Sequence, residues 1–177
     1  MRYSCYIDLI QEEDMNLPIL QKISSQILVK KSLLYRRWLF DKIDFSSKLI
    51  GIKGPRGSGK STILQQYAKI SNPPPSKIFF INCDHPAMVG TTLYELAERF
   101  YARGGELLII DEIHKIKNFS QELKAIYNIF DLKIIFSGSS ALEIEHATGN
   151  LSRRAVVYDL RVLSFREFVE LETNQMI

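Results

Sequence analysis

The stretch Gly54-Pro55-Arg56-Gly57-Ser58-Gly59-Lys60-Ser61 determines the fold class of this chain. It matches the pattern G-x-x-x-x-G-K-[ST], and it lies between the apolar run 49–52 and a helix-compatible segment that opens at Thr62. Glycines let successive backbone N–H groups turn toward phosphate oxygens, and the helix that follows adds the positive end of its dipole. The stretch therefore predicts a phosphate-binding loop.

Two side chains of this loop have specific predicted roles. Lys60 is expected to reach the β- and γ-phosphates of a nucleotide, and the Ser61 hydroxyl is expected to ligate Mg²⁺. A glycine turn without a ligand is the alternative, but such a turn has no reason to place Lys and Ser directly after its last glycine. The candidate nucleotide-binding residues are Gly54, Pro55, Arg56, Gly57, Ser58, Gly59, Lys60, Ser61 and Thr62.

Length and composition limit the remaining choices. The chain has 177 residues, 46% of them hydrophobic and 24% charged, which is typical of one globular domain and excludes disordered and fibrous classes. A net charge of +3 is too small to indicate nucleic acid by itself. No apolar run approaches the roughly 20 residues that span a bilayer, and the two cysteines have no metal-ligand spacing. We expect a cytoplasmic protein without a membrane partner.

Strand-like and helix-like segments alternate after the loop. The predicted strands are 48–53, 77–82, 107–110, 133–136 and 155–160, and the predicted helices are 62–70, 91–103, 120–130, 141–145 and 165–171. Such alternation predicts an α/β fold, a parallel sheet with helices on both faces and right-handed crossovers. Residues 1–18 are interpreted as an N-terminal leader, and residues 19–177 as a nucleotide-binding domain with an N-terminal helical segment.

That helical segment carries a basic face. Apolar residues recur at helical intervals from Ile19 to Trp38, and basic residues occupy the other side. The basic residues are Lys30, Lys31, Arg36 and Arg37. This Lys30–Arg37 face is a candidate contact for nucleic acid, with a solvated surface as the alternative.

Two acids follow the most apolar of the predicted strands. Asp111 is placed to hold Mg²⁺ directly or through water, and Glu112 is the candidate group that orients or deprotonates water. Consecutive strand residues point to opposite faces, so the two acids divide these roles unless the strand ends between them. Acids that merely solubilise a strand end are the alternative.

Serines and arginines complete the candidate catalytic set. Ser137 and Ser139 end the strand expected between those of the phosphate loop and Asp111, where a hydroxyl can sense the γ-phosphate; a Ser/Gly-rich turn is the alternative. Arg153 and Arg154 precede the fifth strand, where they are either surface cations or an arginine finger that enters the site of a second copy. His114 is interpreted as a polar loop residue.

With these motifs in order, the chain resembles an AAA+ ATPase core. It is most similar to the prokaryotic branch in which this domain is followed by a small helical lid and a restriction-endonuclease-like domain. The stretches that carry the resemblance are Gly54 to Thr62, Leu107 to Lys115, Lys133 to Leu142, Leu151 to Arg154 and Leu163 to Phe168. The resemblance implies a strand order of 5-1-4-3-2 and ATP with Mg²⁺ as cofactors. It also implies Lys60 and Ser61 on phosphate and Mg²⁺, Asp111 on Mg²⁺, Glu112 as water activator and a serine of the 137–140 turn as sensor.

The resemblance also sets an expectation about turnover. The sequence stops at Ile177, directly after the predicted helix that follows the fifth strand, so we expect the lid and the nuclease-like domain to be absent and hydrolysis to be slow. Mg²⁺-dependent ATP hydrolysis is the leading hypothesis. A nucleotide-binding switch with negligible hydrolysis and a nucleic-acid-binding module are the alternatives, and the expected partners are ATP or ADP and a second copy of the chain.

Overall fold

A parallel sheet of five strands forms the centre of the computed structural model. The structure describes residues 2–30, 35–139, 151 and 154–173, and among these the side chains from residue 16 onward. The strands are β1 (Leu49–Lys53), β2 (Ile78–Asn82), β3 (Leu107–Asp111), β4 (Lys133–Gly138) and β5 (Ala155–Asp159). The helices are α1 (Arg2–Val29), α2 (Lys60–Ile70), α3 (Leu93–Ala102), α4 (Phe119–Ile129) and α5 (Phe165–Thr173).

The strands lie in the order β2-β3-β4-β1-β5, which confirms the expected 5-1-4-3-2 read from the other edge. All neighbouring strands pair in parallel. The carboxyl ends of β1, β4 and β3 therefore lie side by side at one edge, where ligands bind in open α/β sheets. The phosphate loop, Ser137 and Asp111 come from these three ends.

Both faces of the sheet are covered by apolar side chains. Because side chains alternate along a strand, Leu108 and Ile110 of β3 pack on the face that α3 and α4 cover. Leu107 and Ile109 pack on the opposite face, against α2. The result is the three-layer α/β fold that the sequence pattern predicts.

The N-terminal helix differs from the prediction. α1 begins at Arg2, continues through Pro18 and ends at Val29, so it crosses the predicted boundary between leader and domain. A proline inside a helix removes one backbone hydrogen bond and is locally unfavourable. The helix continues because Leu17 and Leu20 are buried in the core. Trp38, predicted on this helix, lies in a turn beyond it.

Helix α1 also protects the free edge of the sheet. It runs from the α3–α4 face, where Leu20 packs, to the α2 face, where Ile27 packs. At the crossing point the buried Ser24 Oγ accepts a 2.8 Å hydrogen bond from the N–H of Phe80 in the edge strand β2. An unpaired N–H on an edge strand can pair with a strand of another chain, and the hydrogen bond to Ser24 occupies the N–H of Phe80 so that it is not free to do so.

Smaller differences affect the site. β4 extends through Gly138, so Ser137 belongs to the strand rather than to the turn after it. The predicted helix 141–145 lies outside the described residues. Thr92 caps α3 and forms a reciprocal capping box with Glu95. No helix in the described part of the chain is long and apolar enough to cross a membrane.

We expect Ser24→Ala to lower the free energy of unfolding by about 1–3 kcal/mol, because it leaves the buried N–H of Phe80 without an acceptor. Urea unfolding followed by circular dichroism measures the change. The matched control is Ser25→Ala on the exposed side of the same helix, which should change stability by less than about 0.5 kcal/mol. Equal effects of the two substitutions would contradict the role of Ser24.

Candidate nucleotide-binding site

The backbone of the phosphate loop requires its glycines. Gly57 has φ 79° and Gly59 has φ 95°, both in the left-handed region that side chains disfavour. A Cβ on Gly54 would lie 2.1 Å from the carbonyl oxygen of Leu160, which follows β5. The loop therefore fits tightly against the end of β5 and turns twice before α2 begins at Lys60.

Lys60 lies inside this loop. Its side chain is buried, and Nζ donates hydrogen bonds of 3.0 Å to the carbonyl oxygen of Gly54 and 2.9 Å to that of Pro55. Burial lowers the pKa of Lys60, and the nearby carboxylates of Glu112 and Asp111 partly oppose this. The ammonium group therefore lies within the electrostatic reach of the predicted metal ligand Asp111 and the predicted water-activating Glu112.

The loop also holds oxygen atoms that can meet a ligand. The Ser58 hydroxyl is buried and, within the described residues, has no hydrogen-bond partner. Ser61 and Thr62, in the first turn of α2, are partly exposed. A buried hydroxyl without a partner is costly in a native fold, so a polar ligand at the loop would satisfy Ser58.

Asp111 and Ser137 are joined across the sheet. Asp111 ends β3 and is buried, and its Oδ1 accepts a hydrogen bond from the hydroxyl of Ser137 on β4. The same Ser137 oxygen accepts a 3.3 Å hydrogen bond from the backbone N–H of Glu112. Ser137 thus fixes the direction of the Asp111 carboxylate and the start of the turn after it.

Glu112 leaves the strand in a left-handed conformation. Its φ of 55° and ψ of 42° are unusual for a residue other than glycine, and they show that β3 ends between the two acids. Glu112 Oε2 accepts a 3.4 Å hydrogen bond from Ser139 Oγ and lies 3.3 Å from His114 Nδ1. Ser139 Oγ also lies 3.3 Å from His114 Nε2. The strained backbone and this small cluster hold the carboxylate of Glu112 at the sheet edge.

Arg37 was predicted to lie on an exposed basic face that could contact nucleic acid, and the structure shows that this prediction is wrong for Arg37. It is 5% exposed, and its Nη1 donates to the carbonyl oxygen of Ser58 in the phosphate loop. Nε lies 2.6 Å from Glu167 Oε1, and Nη2 lies 3.2 Å from Glu167 Oε2. The guanidinium is thus paired with a buried carboxylate of α5. Of the other basic residues, Lys30 and Arg36 are exposed and Lys31 lies outside the described residues.

Arg154, one of the two predicted arginine-finger residues, lies far from the chain's own phosphate loop. Arg154 immediately precedes β5, at the amino-terminal edge of the sheet, and its Nε donates to Asn128 Oδ1 of α4 over 3.4 Å. The phosphate loop lies at the opposite edge, a full strand length away. Within one chain the structure does not bring Arg154 to the loop, and Arg153 lies outside the described residues.

Sequence reasoning missed the pairing of Arg37 with Glu167. One signal was present, because Ser164 and Glu167 have the spacing of a capping box. Glu167 Oε2 accepts 3.0 Å hydrogen bonds from both the N–H and the hydroxyl of Ser164. Nothing in the sequence distinguished Arg37 from the basic residues around it. The contact of His114 with Glu112 also required the folded turn.

The pairing predicts a pH dependence of stability. Burial alone would raise the pKa of Glu167, but hydrogen bonds from Arg37 and Ser164 outweigh it, so the pKa lies below its ordinary value. The stabilisation is therefore present above roughly pH 4.3, the pKa of an unperturbed glutamate, and is lost as the pH falls through the lower folded-state pKa.

We expect Glu167→Gln to flatten this acidic part of the stability profile, measured by denaturant unfolding from pH 7 to pH 3. The exposed control Glu98→Gln should keep the wild-type slope, and a wild-type slope in Glu167→Gln would contradict the assignment.

Comparisons with known proteins identify the family of this chain. Residues 46–169 match the family model described as "AAA domain". An uncharacterized protein of Methanocaldococcus jannaschii, MJ1637, is 28% identical over 137 residues, which cover 72% of this chain and 28% of that protein. The chain thus spans little more than a quarter of the length of that relative.

One of two similar solved structures reaches a TM-score that supports a shared fold. AMPPCP-bound DnaA from Aquifex aeolicus superposes with a TM-score of 0.50 and 17% identity, over 72% of this chain and 44% of that chain. C. elegans PCH-2 has a TM-score of 0.47 and 17% identity, over 84% of this chain and 41% of that chain. The family model covers the phosphate loop, both acids and Ser137, and the sheet has the strand order expected of this class. The chain therefore belongs to the AAA domain family and has the core of an AAA+ P-loop ATPase.

Proposed function

We propose that this protein binds ATP with Mg²⁺ and hydrolyses it. The observation that carries the proposal is the position of Lys60, Asp111 and Glu112 at or just after the carboxyl ends of β1 and β3, the two strands that flank β4. Ser137 joins the two acids through its single oxygen atom. A cation for phosphate, an oxygen ligand for a metal ion and a carboxylate for water are the groups that phosphoryl transfer to water requires.

Phosphate binding follows from the loop. The left-handed glycines and the amino end of α2 present backbone N–H groups to an anion, and the buried Ser58 hydroxyl supplies a further donor. Lys60 exchanges its two carbonyl partners for phosphate oxygens, which costs little because the ammonium group is already desolvated. The loop therefore favours a polyphosphate over a neutral ligand.

The donor set fits Mg²⁺. Ser61 and Asp111 would supply a hydroxyl and a carboxylate oxygen, and Mg²⁺ commonly takes one or two protein oxygens with the rest from phosphates and water. No cluster of three or more metal-ligating side chains occurs in the described part of the chain, as suits an ion that arrives with its nucleotide. When bound, the ion neutralises charge on the phosphates. The hydrogen bond from Ser137 aims the Asp111 carboxylate for this contact.

Glu112 is proposed to orient the attacking water. Water forms a bond to the γ-phosphorus while the bond to the oxygen of ADP breaks, and the Glu112 carboxylate accepts the proton of the water. Ser139 and His114 keep that carboxylate at the sheet edge through contacts of 3.4 Å and 3.3 Å. A second candidate function is a nucleotide-binding switch with little hydrolysis, which is favoured because the Glu112 carboxylate already has Ser139 and His114 as partners and must exchange one of them for water.

We expect Lys60→Ala to weaken ATP binding by roughly 10- to 100-fold, the value of one or two charge-assisted hydrogen bonds. Isothermal titration calorimetry with Mg-ATP measures the affinity. Lys77→Ala is the matched control, because Lys77 precedes β2 at the opposite edge of the sheet and pairs with Glu106. Wild-type affinity in Lys60→Ala would contradict phosphate binding by the loop.

We expect Glu112→Gln to retain ATP binding and to slow phosphate release by about 10²–10⁴-fold, because the amide cannot accept a proton from water. Release of inorganic phosphate at saturating Mg-ATP measures the rate, and chelation of Mg²⁺ should abolish it. Glu106→Gln, at the amino-terminal edge of the sheet, is the control. Tight binding with no phosphate release above buffer in the wild type would instead support the switch.

A further inference from the structure

Arg37 connects three separate parts of the chain. It belongs to the segment 35–39, which precedes the sheet, and it contacts the phosphate loop through Ser58 and the helix α5 through Glu167. Its Nη2 also donates to the carbonyl oxygens of Arg161 and Val162, over 2.9 Å and 3.3 Å. The planar fork of an arginine can hold several acceptors in fixed directions at once, which a lysine cannot do.

The contact with Ser58 orients the peptide that ends the loop. In a trans peptide the C=O and N–H of one unit point in opposite directions, and no cis peptide is present in the described chain. Because the carbonyl of Ser58 is held toward Arg37, the N–H of Gly59 faces the other side of that peptide. A Cβ on Gly59 would lie only 3.9 Å from Nη1, so the guanidinium packs directly against this turn.

The contact with Glu167 fixes Arg37 in turn. The carboxylate of Glu167 is nearly saturated: it accepts from Arg37, from Ser164 and, over 3.4 Å, from the backbone N–H of Trp38. Since Ser164 and Glu167 form the first turn of α5, the helix can keep this arrangement only while it is docked on the segment 35–39. A second bond, from the Tyr35 hydroxyl to Glu170 over 3.2 Å, joins the same two elements.

We propose that Arg37 is a positioning residue that couples the conformation of the phosphate loop to the docking of α5. The proposal deepens the proposed function, on which its nucleotide-dependent part rests. When α5 is docked, Glu167 holds Arg37, and Arg37 turns the Gly59 N–H to the side where a phosphate oxygen would meet it. By reciprocity, a nucleotide that stabilises this turn also stabilises the docked helix.

Hydrogen–deuterium exchange tests the coupling without nucleotide. The substitution Glu167→Gln is made on the helix, and exchange is read at the loop amides 57–61, with α4 as the reference for global unfolding. We expect exchange at the loop to rise about tenfold relative to α4, because Arg37 loses its charged partner. Glu172→Gln, the same change at an exposed carboxylate of the same helix, is the control and should leave the loop unchanged. Unchanged loop exchange in Glu167→Gln would overturn the proposal.

Nucleotide affinity gives the second measurement. With Mg-ADP as the probe, we expect Arg37→Lys and Glu167→Gln each to weaken binding about tenfold. The double variant should bind no more weakly than either single variant, because both substitutions break the same contact between Arg37 and Glu167. Mg-ADP should also slow exchange in α5 of the wild type but not of Arg37→Lys. Wild-type affinity in both single variants would overturn the coupling. A wild type that binds no Mg-ADP, together with faster loop exchange in Glu167→Gln, would instead refute the proposed function and leave the coupling standing.

Discussion

Parallel pairing of β1, β4 and β3 is the constraint on which the rest of this site depends. β4 lies between β1 and β3. Ile52 of β1 pairs with Ser137 of β4, and Ile110 of β3 pairs with Phe136 of β4. The three strands therefore end within about one residue of each other along the strand direction. A shift of one residue along β4 would turn Ser137 to the other face of the sheet and separate it from Asp111. The apolar side chains on both faces hold this register, since each strand must match two cores at once. Packing of the apolar interior thus determines where Ser137 and Asp111 lie at the carboxyl ends of the strands.

Around this edge the polar groups form two sets of contacts that meet at the phosphate loop. On one side, Ser137 holds Asp111 and the backbone of Glu112. On the other side, Arg37 holds the carbonyl of Ser58 and is itself held by Glu167. The first set uses strand ends that every parallel sheet brings together. The second set joins the segment before β1 to α5, the helix after β5, and both of these elements contact the phosphate loop or its partner Arg37.

The sequence predicted the elements that depend on local pattern. Short apolar runs identified the five strands to within two residues at each end. The extent of α1 was not predicted: Pro18 is locally unfavourable in a helix, and the burial of Leu17 and Leu20 beside it is a tertiary contact. The place of Ser137 within β4 likewise depended on its partner strands.

The sequence by itself determined the phosphate loop and the two acids, because the glycine spacing, the Lys60–Ser61 pair and the apolar strand before Asp111 are all local in the chain. Tertiary structure alone decided what surrounds them. Arg37 and Glu167 are separated by 130 residues and meet only when both ends of the domain pack on the loop. Arg36, next to Arg37 in the sequence, carries the same charge but remains exposed. A charged side chain can be buried when an oppositely charged group lies beside it in the folded protein. No local sequence pattern indicates that Arg37 and Glu167 will meet.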